Sequence, residues 1–98
     1  MILVTLPAHL RNLARVNGHV EIEIKGAPTI SALLNAVEEK YPMLRGTIRD
    51  HNTHKRRAFL RYYACEKDLS LEPPETQLPE TVISGKEAFL IIGSIAGG

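Results

Sequence analysis

Apolar and polar positions change their spacing several times along the chain, and each change predicts an element. Ile2, Val4 and Leu6 alternate with Leu3 and Thr5, a period of two that predicts a first strand with its even positions inward. Pro7 ends it. The polar stretch from there to the turn pair Asn17-Gly18 reads as a connecting loop, too long for a two-residue hairpin. Val20, Ile22 and Ile24 then alternate with Glu21, Glu23 and Lys25, a strand with one dry and one charged face, as in an antiparallel sheet wet on one side.

Gly26-Ala27-Pro28 breaks this strand, and the Thr29 hydroxyl is placed to cap a helix. Ile30, Leu33, Leu34, Val37 and Tyr41 fall on one helical face, with Glu38, Glu39 and Lys40 outside it, so the helix packs on the sheet and stops near Pro42. Met43, Leu44 and Ile48 extend the apolar contact through a second short helix, before a polar basic loop from His51 to Arg57. Ala58 to Cys65 reads as a third strand, with Ala58, Leu60, Tyr62 and Ala64 on one face and Phe59, Arg61, Tyr63 and Cys65 on the other. Arg61 resists burial, so the second face points away from the helix. Two aromatics flanking an arginine have the composition of an interface, unless loops fold over them. Glu66 to Gly85, with Pro73, Pro74 and Pro79, reads as an irregular surface excursion with room for an edge strand at Leu69 to Leu71. Ala88 to Ile95 is almost wholly apolar, as a central strand or one covered on both faces would be.

At 98 residues the chain has room for one core and not two, and 44% hydrophobic content suffices to fill it without a metal or a disulfide. The single cysteine, Cys65, has no partner within the chain, and Met1 to Leu6 is too short for a signal or membrane segment, so a cytoplasmic location is expected. The net charge of +1 conceals three segments: residues 1–44 are neutral, 45–61 carry +5 and 62–98 carry −4. That polarity steers a charged partner or simply solvates two faces. The basic segment lacks a nucleic-acid-binding motif and the acidic last third repels phosphates, so no nucleic-acid partner is expected. His51 and His54 with Cys65 fall short of a zinc ligand set, so no metal is expected either. Cys65 reads as a small hydrophobe, although Arg61 on its face would favour a thiolate.

The sequence ends in Gly97-Gly98 directly after an apolar strand. Two glycines there would occur by chance in about one sequence in 200. Glycines without side chains can thread a narrow channel and deliver a carboxylate to a distant active site, where activation by adenylation makes it an acyl donor.

The order strand, strand, helix, strand, final strand and Gly-Gly resembles the β-grasp, ubiquitin-like sulfur carriers of the MoaD/ThiS family. The best-matching pieces are Ala8-His9-Leu10-Arg11, Thr29-Ile30-Ser31-Ala32-Leu33-Leu34, Tyr41-Pro42 and Ile95-Ala96-Gly97-Gly98. Departures are Pro7 where the family often has an aromatic, Gly85-Lys86-Glu87 where it often has Gly-Asp, and the Glu66 to Leu78 excursion where it often has a short Asn-Gly turn. The resemblance implies an α+β β-grasp fold, a mixed sheet of four to five strands on one main helix, as a single domain over 1–98 with 94–98 a flexible, extended functional tail. It further implies that the Gly98 carboxylate, presented by Gly97, is adenylated by an ATP-dependent, ubiquitin-activating-like adenylyltransferase. A sulfur donor then converts it to a thiocarboxylate that passes sulfur to the large subunit of molybdopterin synthase or to another sulfur-accepting enzyme. Phe59, Arg61, Tyr63, Ile95 and Ala96 would meet these partners. No cofactor would be bound stably, ATP being used by the activating partner, and catalytic residues would belong to the partners. The other classes are a carrier for thiamine or cysteine synthesis, and a ubiquitin-like modifier or docking module joined through Gly98.

Overall fold

Residues 1–93 are described by a computed structural model. Strand β1 (Ile2–Thr5) buries Ile2 and Val4 and leaves Leu3 and Thr5 partly exposed, the parity that the alternation predicts. Pro7 then does more than end a strand. Its extended backbone leads into helix α1 (Ala8–Ala14), where the sequence predicts a loop. Leu10 and Ala14, one helical turn apart, are its only buried residues, which makes the apolar stripe too thin to stand out in a polar stretch. Arg15 closes α1 in the left-handed conformation, with φ of 58°.

Strand β2 (His19–Ile22) buries Val20 and Ile22 and pairs antiparallel with β1. Helix α2 (Ile30–Lys40) starts where expected: the Thr29 side chain accepts a hydrogen bond from the Ala32 amide at 3.1 Å. Ile30, Leu33, Leu34 and Val37 fill its buried face, and Tyr41 is partly buried beside them. A single 3₁₀ turn (Pro42–Leu44) follows, and Leu44 and Ile48 enter the core while Met43 faces solvent.

Strand β3 (Leu60–Ala64) buries Leu60, Tyr62 and Ala64, and it is shorter than predicted because Ala58 and Phe59 lie in the turn before it. Strand β4 (Lys67–Asp68) is the edge strand, two residues ahead of its predicted place at Leu69 to Leu71. It pairs antiparallel with β3 through Ala64 opposite Lys67, so the connection is a two-residue turn, Cys65-Glu66. Both turn residues have positive φ, 53° and 63°, as the tightest hairpins with a right-handed twist demand. The short turn that the sequence lacked as Asn-Gly is therefore present, built from residues that carry a Cβ.

The segment that read as a surface excursion also feeds the core. Leu69, Leu78 and Val82 are buried, Val82 on the short helix α3 (Glu80–Ile83), and only Leu71 stands out at 86% exposed. Strand β5 (Phe89–Gly93) completes a five-stranded mixed sheet in the order β2-β1-β5-β3-β4, parallel to β1 and antiparallel to β3. It is central, as its composition predicts, but it is not covered on both faces: Phe89 and Ile91 are buried while Ile92 is 43% exposed. The helices pack on one face, and none of the described helices is long and apolar enough to cross a membrane.

Candidate functional site

The face of the sheet away from the main helix is set by strand parity. On β3, the residues between the buried Leu60, Tyr62 and Ala64 are Arg61 and Tyr63, so both point outward. Register then decides their neighbours. Arg61 lies opposite Ile92, and Tyr63 lies between Leu90 and Asp68. The same row continues through Thr5 to His19 on the far edge. Leu90, Ile92 and Tyr63 thus form an apolar strip flanked by Arg61. Phe59 precedes the strand and is 66% exposed, so the loops do not fold over it.

Arg61 is oriented by a partner. Its Nη1 donates to Asp68 Oδ2 at 2.9 Å, with both side chains open to water. The Asp68 carboxyl is pulled down to about 2, chiefly by hydrogen bonds from Ser70 and further by the Arg61 guanidinium. Arg61 is thus engaged with Asp68 and makes no hydrogen bond to Cys65. The Cys65 sulfur instead lies 2.9 Å from Thr81 Oγ1 and donates to Glu87 Oε2 at 3.0 Å. Those contacts hold the Glu87 carboxyl below its ordinary range, the thiol first and Thr81 second.

Leu90 and Ile92 are the face residues that the sequence did not mark, because a continuous apolar run hides its own parity. Pairing exposes it: with Phe89 and Ile91 inward, Leu90 and Ile92 must turn outward.

Gly93, the last described residue of β5, lies opposite Leu60. A Cβ at Gly93 would meet Pro7 Cβ at 3.4 Å, His9 Cε1 at 3.5 Å and Leu60 Cδ2 at 3.9 Å, so Gly93 lies against the entry to α1 and the start of β3. The structure therefore places Phe59, Arg61 and Tyr63 on or beside the strands that flank this end. Ile95, Ala96, Gly97 and Gly98, the other predicted site residues, lie outside the described residues.

The basic 45–61 segment is a patch only in part. Arg49 is 3% exposed, and its Nε and Nη2 both donate to Glu38 at 2.9 Å while Nη2 also reaches Asn35 Oδ1 at 2.7 Å. Arg56 donates to the carbonyls of Ser70, Arg57 and Leu60, and Arg57 to that of Gly46. These arginines staple loops, a role invisible in a charge count. His51 and His54 are exposed, and no group of three or more metal-binding side chains occurs among the described residues.

No protein-family model matches the sequence, and no curated protein is significantly similar to it. Solved structures are. A chain of the Amycolatopsis orientalis BexX/CysO complex superposes with a TM-score of 0.73 at 21% identity, covering 100% of each chain. CysO of Mycobacterium tuberculosis, an antigen, gives 0.75 at 18% identity over 97% of this chain and 100% of that one. SAMP1 of Haloferax volcanii gives 0.73 at 14% identity over 98% and 97%. A shared order of strands and helices over whole chains at such low identity is a statement about fold: this chain has the β-grasp, ubiquitin-like fold, as its resemblance to the MoaD/ThiS sulfur carriers implied.

Proposed function

We propose that the protein is a sulfur carrier whose working group is the Gly98 carboxylate. The observation that carries the reading is the place of β5. It is the central strand, held by β1 on one side and β3 on the other, and Gly93, its last described residue, directly follows Ile92 on the open face that also bears Arg61, Tyr63 and Leu90. A firm anchor, a docking face and a sequence that continues into Gly97-Gly98 are what delivery of a terminal acyl group to another enzyme requires. The fold shared with CysO and SAMP1 chains supports the same reading.

In this reading an adenylyltransferase joins the carboxylate to AMP from ATP and releases pyrophosphate. A sulfur donor then displaces AMP to leave a thiocarboxylate. The outward face of β3 and β5 docks the partners, with Ile95 and Ala96 completing the contact, and the protein is a carrier that supplies no acid–base group of its own. The acceptor proposed first is the large subunit of molybdopterin synthase, with another sulfur-accepting enzyme as the alternative.

Intact mass after incubation with the activating enzyme, ATP and a sulfur source tests the carrier step. Replacement of one oxygen by sulfur at the carboxyl is the expected product, and deletion of Gly98 abolishes it with the melting temperature unchanged. Thiocarboxylation that survives the deletion overturns the proposal. A ladder of conjugates on other proteins in place of the thiocarboxylate would make the chain a modifier. Sulfur transfer to a thiamine- or cysteine-forming enzyme, and none to the pterin precursor on the large subunit, would replace the acceptor while leaving the carrier.

A further inference from the structure

The sheet order leaves β2 with one edge unpaired among the described residues, since β1 covers only the other. A side chain marks the direction of that edge. Lys40, in the last turn of α2, donates from Nζ to the Glu21 carbonyl at 2.8 Å, so this carbonyl points away from β1. In an antiparallel pair the N–H and C=O of one residue project to the same side and successive residues alternate, so the Glu21 N–H points outward too, while Val20 and Ile22 turn theirs to β1. Beside the edge, between α2 and the run from Glu21 to Lys25, lies a groove of about 660 Å³. Ala32 and Ala36, one helical turn apart, line it on the helix where longer side chains would close it, and Ile22 and Ile24 line it on the sheet. Three acids, Glu21, Glu23 and Glu39, stand around it against two lysines, Lys25 and Lys40. None of the three acids has a basic side chain at ion-pair distance among the described residues.

An unpaired strand edge is a template for main-chain pairing, and a lysine laid over it keeps stray strands off. Lys40 covers one carbonyl only, and the groove gives an incoming strand's side chains a place to go. Parity sorts them. Val20, Ile22 and Ile24 turn inward and Glu21 and Glu23 outward, so residues of an added strand that lie opposite the first set enter the groove and those opposite the second meet acids. We infer that this edge docks an extended segment of another protein, in which apolar residues alternate with basic ones. It adds a strand to β2, lays its apolar side chains over Ala32 and Ala36, sets its basic ones opposite Glu21 and Glu23, and replaces Lys40 on the Glu21 carbonyl with its own N–H. The groove shares no residue with the outer face of β3 and β5 and involves none after Gly93, so the inference stands apart from the carrier reading.

Titration of the isotope-labelled full chain with end-capped peptides, followed by amide resonances, tests it. The probe is Lys-Val-Lys-Val-Lys-Val-Lys; one control has proline in place of the central valine, and the other has glutamate in place of every lysine. The probe is expected to saturate with a Kd of about 1 mM or below, shifting the amides of Glu21, Glu23, Ala32 and Ala36 and slowing hydrogen exchange at Glu21. The proline control keeps the charge but loses a main-chain donor in mid-strand, and it is expected to bind about tenfold more weakly, as is the glutamate control. Lys40→Met uncovers the Glu21 carbonyl and is expected to tighten binding about threefold, while Glu21→Gln weakens it about threefold, as for one exposed cross-strand pair. Ala36→Leu fills the groove and is expected to abolish binding; Lys40 and Glu21 are exposed, so their variants still decide the matter if Ala36→Leu loses stability. The inference is overturned if the probe does not saturate, if the proline control binds as well, if Lys40→Met weakens binding, or if the shifts fall on the outer face of β3 and β5. A chain that dimerises through β2 and excludes the probe overturns it too.

Discussion

Replacing Arg49 by Met removes a guanidinium buried between α2 and the basic loop and leaves two acceptors behind. Glu38 loses two hydrogen bonds of 2.9 Å and Asn35 loses one of 2.7 Å. Breaking one side of a buried pair costs about 3–5 kcal/mol, because the abandoned charge stays desolvated. Here the Glu38 side chain is 13% exposed and Asn35 is open to solvent, so both regain some water and about 3 kcal/mol is the appropriate figure. For a chain of this size that corresponds to a fall in melting temperature of about 12–24 °C. Urea melts should show a lower midpoint at unchanged slope. The double variant Arg49→Met with Glu38→Leu removes the orphaned charge and should recover to within about 1 kcal/mol of the parent. A loss below about 1 kcal/mol for Arg49→Met alone, the worth of a surface pair, would refute the assignment of Arg49 as a buried staple. So would a double variant no more stable than the single one.

Glu66→Gly relieves an exposed residue held at φ of 63° and should raise stability by about 1 kcal/mol, read from the urea midpoint; a loss would mean that Glu66 has a contact beyond its turn. The folded Asp68 carboxyl sits at about 2, below its ordinary 3.8, so its stabilising contribution is complete above the ordinary value and is lost as pH falls through the folded one. Melting temperature followed from neutral to acid pH should therefore decline less steeply below about pH 4 in Asp68→Asn than in the parent. Phe59→Ala should change stability by no more than about 0.5 kcal/mol while weakening capture by the activating enzyme, and Arg61→Glu should weaken that capture too; a large stability loss in Phe59→Ala would place the ring in the core.

The inward and outward parity of β1, β2 and β3, the Thr29 cap and the buried stripe of α2 are all local patterns, and the sequence carried them. So was the outward setting of Arg61 and Tyr63, since one residue that resists burial fixes the parity of a strand. What escaped depended on distant partners. Arg49 is buried because Glu38 and Asn35 lie 11 and 14 residues back on a helix, a fact that no window around Arg49 contains. The Cys65-Glu66 turn defies local propensity, since side chains with a Cβ avoid positive φ and here accept it to close β3 on β4. Leu69, Leu78 and Val82 were hidden by the prolines and acids around them. The predicted tail residues are a reading of motif and resemblance, and the mass experiment is their test.

The parallel pairing of β1 with β5 has a consequence for how the molecule is made. Its central strand and that strand's parallel neighbour come from opposite ends of the described chain, and the register joins Val4 to Phe89 and Thr5 to Leu90. Nearly the whole length must be looped out before those bonds form, which places the sheet among slowly assembled, long-range topologies. Until Phe89 to Gly93 emerges from the ribosome, no strand joins the β3-β4 hairpin to the β1-β2 pair. A chain arrested before Phe89 therefore lacks the finished outer face of β3 and β5.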